Sequence, residues 1–83
     1  MKNVTTERGR LRILRRFKNS LNGNPRYAVA IHPDGADFEW HAKTIPDSGE
    51  AYALTNFVGK LVDCELGVLR GHTHIQNIRE VSA

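Results

Sequence analysis

The sequence predicts a small, mainly β domain: a five-stranded barrel or curved sheet, OB-like or SH3-like, with one short helix between its third and fourth strands. Three observations carry this reading. Several runs alternate apolar and polar residues, clusters of Asn, Gly, Pro and Asp separate those runs, and only one short segment has a helix-start signal. At 83 residues the chain has room for one domain, and 40% hydrophobic with 25% charged residues is the composition of a folded globular chain.

Residues 1–9 lack periodicity and read as a flexible N-terminal arm, with residues 10–83 as the single barrel-like domain. In residues 10–18 a strand would place Leu11, Ile13 and Phe17 on one face and Arg10, Arg12, Arg16 and Lys18 on the other. Leu14 and Arg15 fall out of step. The same stretch also has a helical period, through Leu11, Leu14 and Leu21. Gly9 before it and the run Asn19-Ser20-Leu21-Asn22-Gly23-Asn24-Pro25 after it favour the strand, as the first arm of a hairpin.

The second strand is Arg26 to His32, with Tyr27, Val29 and Ile31 on one face. His32-Pro33-Asp34-Gly35 has turn chemistry and predicts a tight hairpin into a third strand over residues 37–44, whose Phe38 and Trp40 are expected to face the core. Ile45 to Gly49 then breaks the sheet, and Asp47 or Ser48 is placed to cap a short helix over residues 50–57, an irregular strand being the alternative. Residues 58–68 and 72–81 form a closing hairpin. Ile75 and Ile78, three apart, require a bulge near Gln76-Asn77 if both are to face inward.

The segment Asn19-Ser20-Leu21-Asn22-Gly23-Asn24-Pro25-Arg26-Tyr27, with Asp47-Ser48, Tyr52, Thr55-Asn56 and a closing Gly71, Ile75 and Ile78, resembles a family of small actinobacteriophage (mycobacteriophage-type) proteins sharing an N-S-x-x-G-N-P-R-Y core. The resemblance implies a phage origin and a location in the host cytosol. It brings no active site with it.

The charge is divided unevenly. Residues 1–26 carry +7 and residues 27–83 carry −4, which suits a basic face meeting an acidic partner or complementary faces meeting between subunits. Arg10, Arg12, Arg16, Lys18 and Arg26 are the candidate binding residues, because cations at alternate strand positions can follow a phosphate backbone. The plainer reading of the same residues is a solvated face that guards an edge strand.

His72, His74 and Cys64 form a weaker candidate as a metal site, since both imidazoles project from one strand face; CxxC and HxxxH spacings are absent. No nucleophile motif, phosphate loop or paired-carboxylate spacing is present, so an enzyme is not expected and no cofactor is implied. The single cysteine and the lack of a membrane-length apolar run or signal-peptide core point to the cytoplasm and away from a membrane partner. The leading expectation is a non-enzymatic module that binds a host or phage protein or itself, as a homo-oligomer. The alternative is a nucleic-acid-binding barrel using the basic face of the first strand.

Overall fold

The structure, a computed structural model, describes residues 4–45 and 48–81. Its elements are β1 (Val4–Phe17), β2 (Arg26–His32), β3 (Trp40–Thr44), α1 (Gly49–Ala53), a 3-10 turn (Leu54–Phe57), β4 (Leu61–Leu69) and β5 (His72–Glu80). The strands close into a barrel in the order β1-β2-β3-β5-β4, antiparallel throughout except for the parallel β3–β5 pair. Of the two barrels expected, the helix between β3 and β4 and this strand order agree with the OB-like one. No described helix is long and apolar enough to cross a membrane.

Strand β1 begins six residues earlier than the sequence suggests, at Val4 rather than Arg10. Residues 4–9, expected as an arm, are paired with β4 from Val4↔Gly67 to Gly9↔Val62; residues 1–3 lie outside the described ones. Beyond Arg10 the same strand turns to pair with β2. Gly9 sits at that change of partner, where a Cβ would lie 2.6 Å from the His32 carbonyl carbon and oxygen and 2.8 Å from Ile31 Cγ2. Only glycine lets the strand cross its neighbour so closely.

The interior is filled by aliphatic side chains that alternate inward from every strand: Leu11, Val29, Ile31, Val62, Cys64, Leu66, Ile75 and Ile78, with Ala42. Burial pushes the Cys64 thiol up to about 12, so it stays protonated and behaves as an apolar filler. Leu54 of the 3-10 turn is fully buried in the same core cluster, which contributes roughly 1.5–3 kcal/mol. Ser48 Oγ accepts from Ala51 N at 3.3 Å and caps α1; Asp47, the other candidate cap, lies outside the described residues. The Tyr52 hydroxyl donates to Asn24 Oδ1, tying α1 to the β1–β2 loop.

Two bulges set which residues face where. Between β4 and β5 the ladder passes from Glu65↔Asn77 to Leu66↔Ile75, so Gln76 is the extra residue and Ile75 and Ile78 both reach the core, as their spacing requires. In β1 the ladder to β2 passes from Ile13↔Val29 to Arg15↔Ala28, leaving Leu14 unpaired. The turn after β2 closes one residue later than expected, by Ala36 N donating to Pro33 O, and opens into a loop rather than a tight hairpin. Consequently β3 starts only at Trp40. Trp40 pairs with Ile31 and keeps the inward phase but is 37% exposed as the first residue of β3, Phe38 lies in the loop before it and is 52% exposed, and Ala42 and Thr44 take the core positions expected of them.

Candidate functional site

Cross-strand partners share a face, so the ladders identify what projects outward from β1, β2 and β3. Arg12↔Ala30↔His41 forms one row across the three strands, and Arg15↔Ala28↔Lys43 forms the next. A pair at the end of the sheet, Phe17↔Arg26, completes the surface. Each of the two rows places a small alanine between two potential cations. The result is a flat floor with raised basic edges.

Phe17 lies at the centre of the charge. The Arg15 guanidinium carbon is 5.2 Å from its ring centroid, Lys43 Nζ 5.7 Å and the Arg26 guanidinium carbon 6.0 Å. These separations are within cation–π range, and the half-buried ring keeps the long side chains gathered over it. Among the described residues, none of these cations lies within ion-pairing distance of a carboxylate. Arg26 Nε donates to Lys18 O at 2.7 Å, which fixes that guanidinium beside the β1–β2 loop.

A shallow groove of about 340 Å³ crosses β2 and β3 next to this cluster, bordered by Leu14, Lys43, Gly71 of the β4–β5 turn and the start of β5 at His72 and Thr73. A smaller one, about 160 Å³, continues from it over Phe17, Arg26, Lys43 and His74. Lys43 belongs to both. The β1–β2 loop and the β4–β5 turn therefore flank a basic trough with an aromatic floor at one end.

The Arg12–His41 row is occupied differently. Arg12 Nη1 and Nη2 donate to the two Glu39 oxygens at 2.7 and 2.9 Å, and His41 Nε2 donates to Glu39 Oε1 at 3.0 Å. The hydrogen bonds from Arg12 and then His41 hold the Glu39 carboxyl below the usual carboxylate range. This cluster lies across Ala30, which is only 1% exposed although it is on the outer face.

Of the basic residues singled out from the sequence, Arg12 and Arg26 are on this face. Arg10 lies beyond it, with Nε 4.0 Å from Asp34 Oδ1. Lys18, one residue past β1, supplies the carbonyl that Arg26 binds. Arg16 is not on the face: the Leu14 bulge shifts the phase by one, so Arg16 pairs with Tyr27, stacks over its ring at 5.8 Å and donates to Asn19 Oδ1 at 2.8 Å. By the same shift Phe17, expected to point to the core, faces out, and Arg15 takes the place expected of Arg16. Lys43 had no signal beyond its alternation with Ala42 and Thr44.

The three candidate metal ligands do not converge. Cys64 is enclosed in the core, whereas His72 and His74 lie on the outer face of β5, where His74 Nδ1 donates to His72 O at 3.0 Å. No group of three His, Cys, Asp or Glu suited to a metal occurs among the described residues.

The opposite wall of the barrel has its own arginines. Arg8 donates through Nε and Nη2 to Asp63 Oδ1 and Oδ2 at 2.8 and 3.0 Å, and Arg79 Nη2 lies 3.6 Å from Asp63 Oδ2. The hydrogen bonds from Arg8, with the nearby Arg79, hold the Asp63 carboxyl low. There the cations are consumed by structure.

No protein-family model, curated protein or solved structure matches the chain.

Proposed function

We propose that this protein is a non-enzymatic binder of single-stranded nucleic acid, using the trough formed by Arg15, Phe17, Arg26 and Lys43. The observation that carries the reading is an aromatic ring surrounded by three cations that have no carboxylate partner among the described residues. Cations following a backbone release counterions, and an aromatic face accepts a base of any sequence. Barrels of this strand order use the face of their second and third strands, between the first and last hairpin loops, for oligonucleotides or oligosaccharides, and the charge here favours the former. A phage product of this kind would act in the host cytosol.

The test is fluorescence anisotropy with labelled single-stranded DNA, single-stranded RNA and duplex DNA at low and moderate salt. Saturable binding of a single strand that weakens with salt is expected, with Phe17→Ala costing about 1–3 kcal/mol of affinity. Absence of binding at low salt by both wild type and Glu39→Gln sinks the reading, and a preference between the DNA and RNA arms identifies the natural sugar.

A second reading, a module that binds a protein partner or associates with itself, rests on Phe38 and Trp40. Their exposed rings meet edge to face at 5.7 Å at one end of the barrel. Exposed aromatic pairs are frequent anchors of protein interfaces. Light scattering would show a multimer that Trp40→Ala reduces to a monomer.

A further inference from the structure

The two outward rows share one construction and differ in whether a carboxylate occupies them. Arg15–Ala28–Lys43 and Arg12–Ala30–His41 have the same layout, a basic side chain on either side of an alanine. They are two residues apart along β2, or about 6.5–7 Å. That is comparable with the separation of successive phosphates along a single strand. The bulge at Leu14 brings β1 into this layout, because it lets Arg12 and Arg15, three apart in sequence, stand opposite Ala30 and Ala28, two apart.

The first row has no carboxylate among the described residues, whereas the second holds Glu39. Glu39 arrives from the loop before β3 and accepts both Arg12 hydrogen bonds in bidentate fashion, with His41 donating to one of the same oxygens. A planar anion gripped by a guanidinium fork and an imidazole occupies the position, and uses the donors, that a phosphate would use. The loop carrying it is not part of the sheet, so Glu39 can leave without breaking a ladder hydrogen bond.

We infer that Arg12 and His41 form a second phosphate subsite, next to the one at Arg15 and Lys43, and that Glu39 fills it as a phosphate substitute until a bound strand displaces it. This rests on the nucleic-acid reading above and adds the path of the strand: from Phe17, over the Arg15–Lys43 row, to the Arg12–His41 row. Glu39 thereby acts against weak anions. A lone phosphate or a short acidic peptide meets an occupied subsite, and only a polyanion already anchored on the first row has the local concentration to replace the carboxylate.

The experiment is a salt titration of binding to a labelled oligodeoxythymidylate of about ten nucleotides, enough for one barrel. Wild type is compared with Glu39→Gln, Arg12→Gln, the Arg12→Gln/Glu39→Gln double variant, and Glu65→Gln as a carboxylate lost from the opposite wall. Removing the competitor is expected to tighten binding roughly three- to tenfold at low salt. In wild type, breaking the Arg12–Glu39 pair offsets the gain from the second phosphate. Glu39→Gln therefore also steepens the salt dependence, by up to about 0.7 in the logarithmic slope. Both effects should vanish in the Arg12→Gln background and be absent in Glu65→Gln.

Binding by Glu39→Gln alone, with none by wild type, also supports the subsite. If wild type binds and Glu39→Gln changes neither affinity nor slope, or gains as much as Glu65→Gln, the subsite is overturned while the nucleic-acid reading stands. If neither wild type nor Glu39→Gln binds at low salt, both fall.

Discussion

Strand β1 serves both walls of the barrel, and its arginines have opposite fates on the two. On the β4 side the residue directly across from Arg8 is Asp63, and the guanidinium clamps a carboxylate whose side chain is only 9% exposed. On the β2 side the residue across from Arg15 is Ala28, and the guanidinium is left over Phe17 beside Lys43. Arginine occurs in both halves of the strand; the cross-strand partner differs. A cation facing a buried acid is part of the architecture, because the acid cannot be left alone in a poorly solvated place. A cation facing alanine is not held by its cross-strand partner: Arg12 is met by Glu39 from the loop before β3, whereas Arg15 has no carboxylate partner among the described residues and is available to a ligand.

The sharpest way to break this comparison is to reverse charge on each wall. Arg15→Glu with Lys43→Glu removes two phosphate contacts and adds repulsion, and should weaken single-strand binding by roughly 100-fold or more at low salt. The urea unfolding midpoint should barely move, since neither side chain is in the core. Arg8→Glu should do the reverse, lowering the midpoint by setting a second carboxylate against Asp63 while the folded fraction binds as before. Equal loss of binding from both changes would mean that the walls do not differ in kind, and that net charge alone drives association.

The hinge between the walls is the next target. Gly9→Ala puts a methyl group 2.6 Å from backbone atoms of His32, which cannot swing away as a side-chain tip can. Destabilisation of about 2–3 kcal/mol is expected, the range of a forced backbone shift in a packed interior, read as a lower urea midpoint. A neutral result would show that the change of partner at Arg10 is made elsewhere in the strand.

How much of this was legible beforehand follows from which physical effects are local. Alternation in residues 26–32 and the turn chemistry of Asn19–Pro25 are encoded by neighbours in sequence, and they gave the strand and the loop. The bulge at Gln76 was readable because Ile75 and Ile78 are both apolar and three apart, a spacing that a flat strand cannot bury. The bulge at Leu14 left a similar trace, the broken alternation at Leu14 and Arg15. Read without a partner strand, it assigned Phe17 to the core and Arg16 to the basic face. Phe38 and Trp40 were misplaced for another reason: where the loop after β2 gives way to β3 is a property of the closed sheet, which leaves Phe38 in the loop and Trp40 as the exposed first residue of the strand. The cations around Phe17 come from three strands, and only the ladders bring them together.

Acid titration separates the walls by a different route. Hydrogen bonds from Arg8 hold the Asp63 carboxyl below its value in the unfolded chain, so its contribution to stability is complete above the usual carboxylate range, near pH 4. That contribution is lost as pH falls through the lowered folded value. Urea midpoints measured from neutral pH towards pH 2 should therefore decline, and Asp63→Asn should flatten the acid limb while starting from a lower midpoint. Arg15→Gln with Lys43→Gln should leave the limb unchanged, as no carboxylate among the described residues holds those cations. A limb unaffected by Asp63→Asn would shift the acid sensitivity to other carboxylates and weaken the contrast between the walls.

The smallest expected effect is at the turn joining β4 to β5. Arg70 and Gly71 both have positive φ, 53° and 78°, the conformation of a two-residue hairpin turn of the type that favours Asn-Gly. A side chain with a Cβ loses about 1–2 kcal/mol in that region, part of which asparagine recovers through its local hydrogen bonding. Arg70→Asn should thus stabilise the barrel by roughly 0.5–1 kcal/mol. This turn borders the groove that holds Lys43, so the same variant measures what the arginine does there. If stability rises and single-strand binding weakens severalfold with a shallower salt dependence, Arg70 is a further phosphate contact kept at the expense of the turn. If stability rises and binding is untouched, the trough ends at His72 and the strain has no counterpart in recognition.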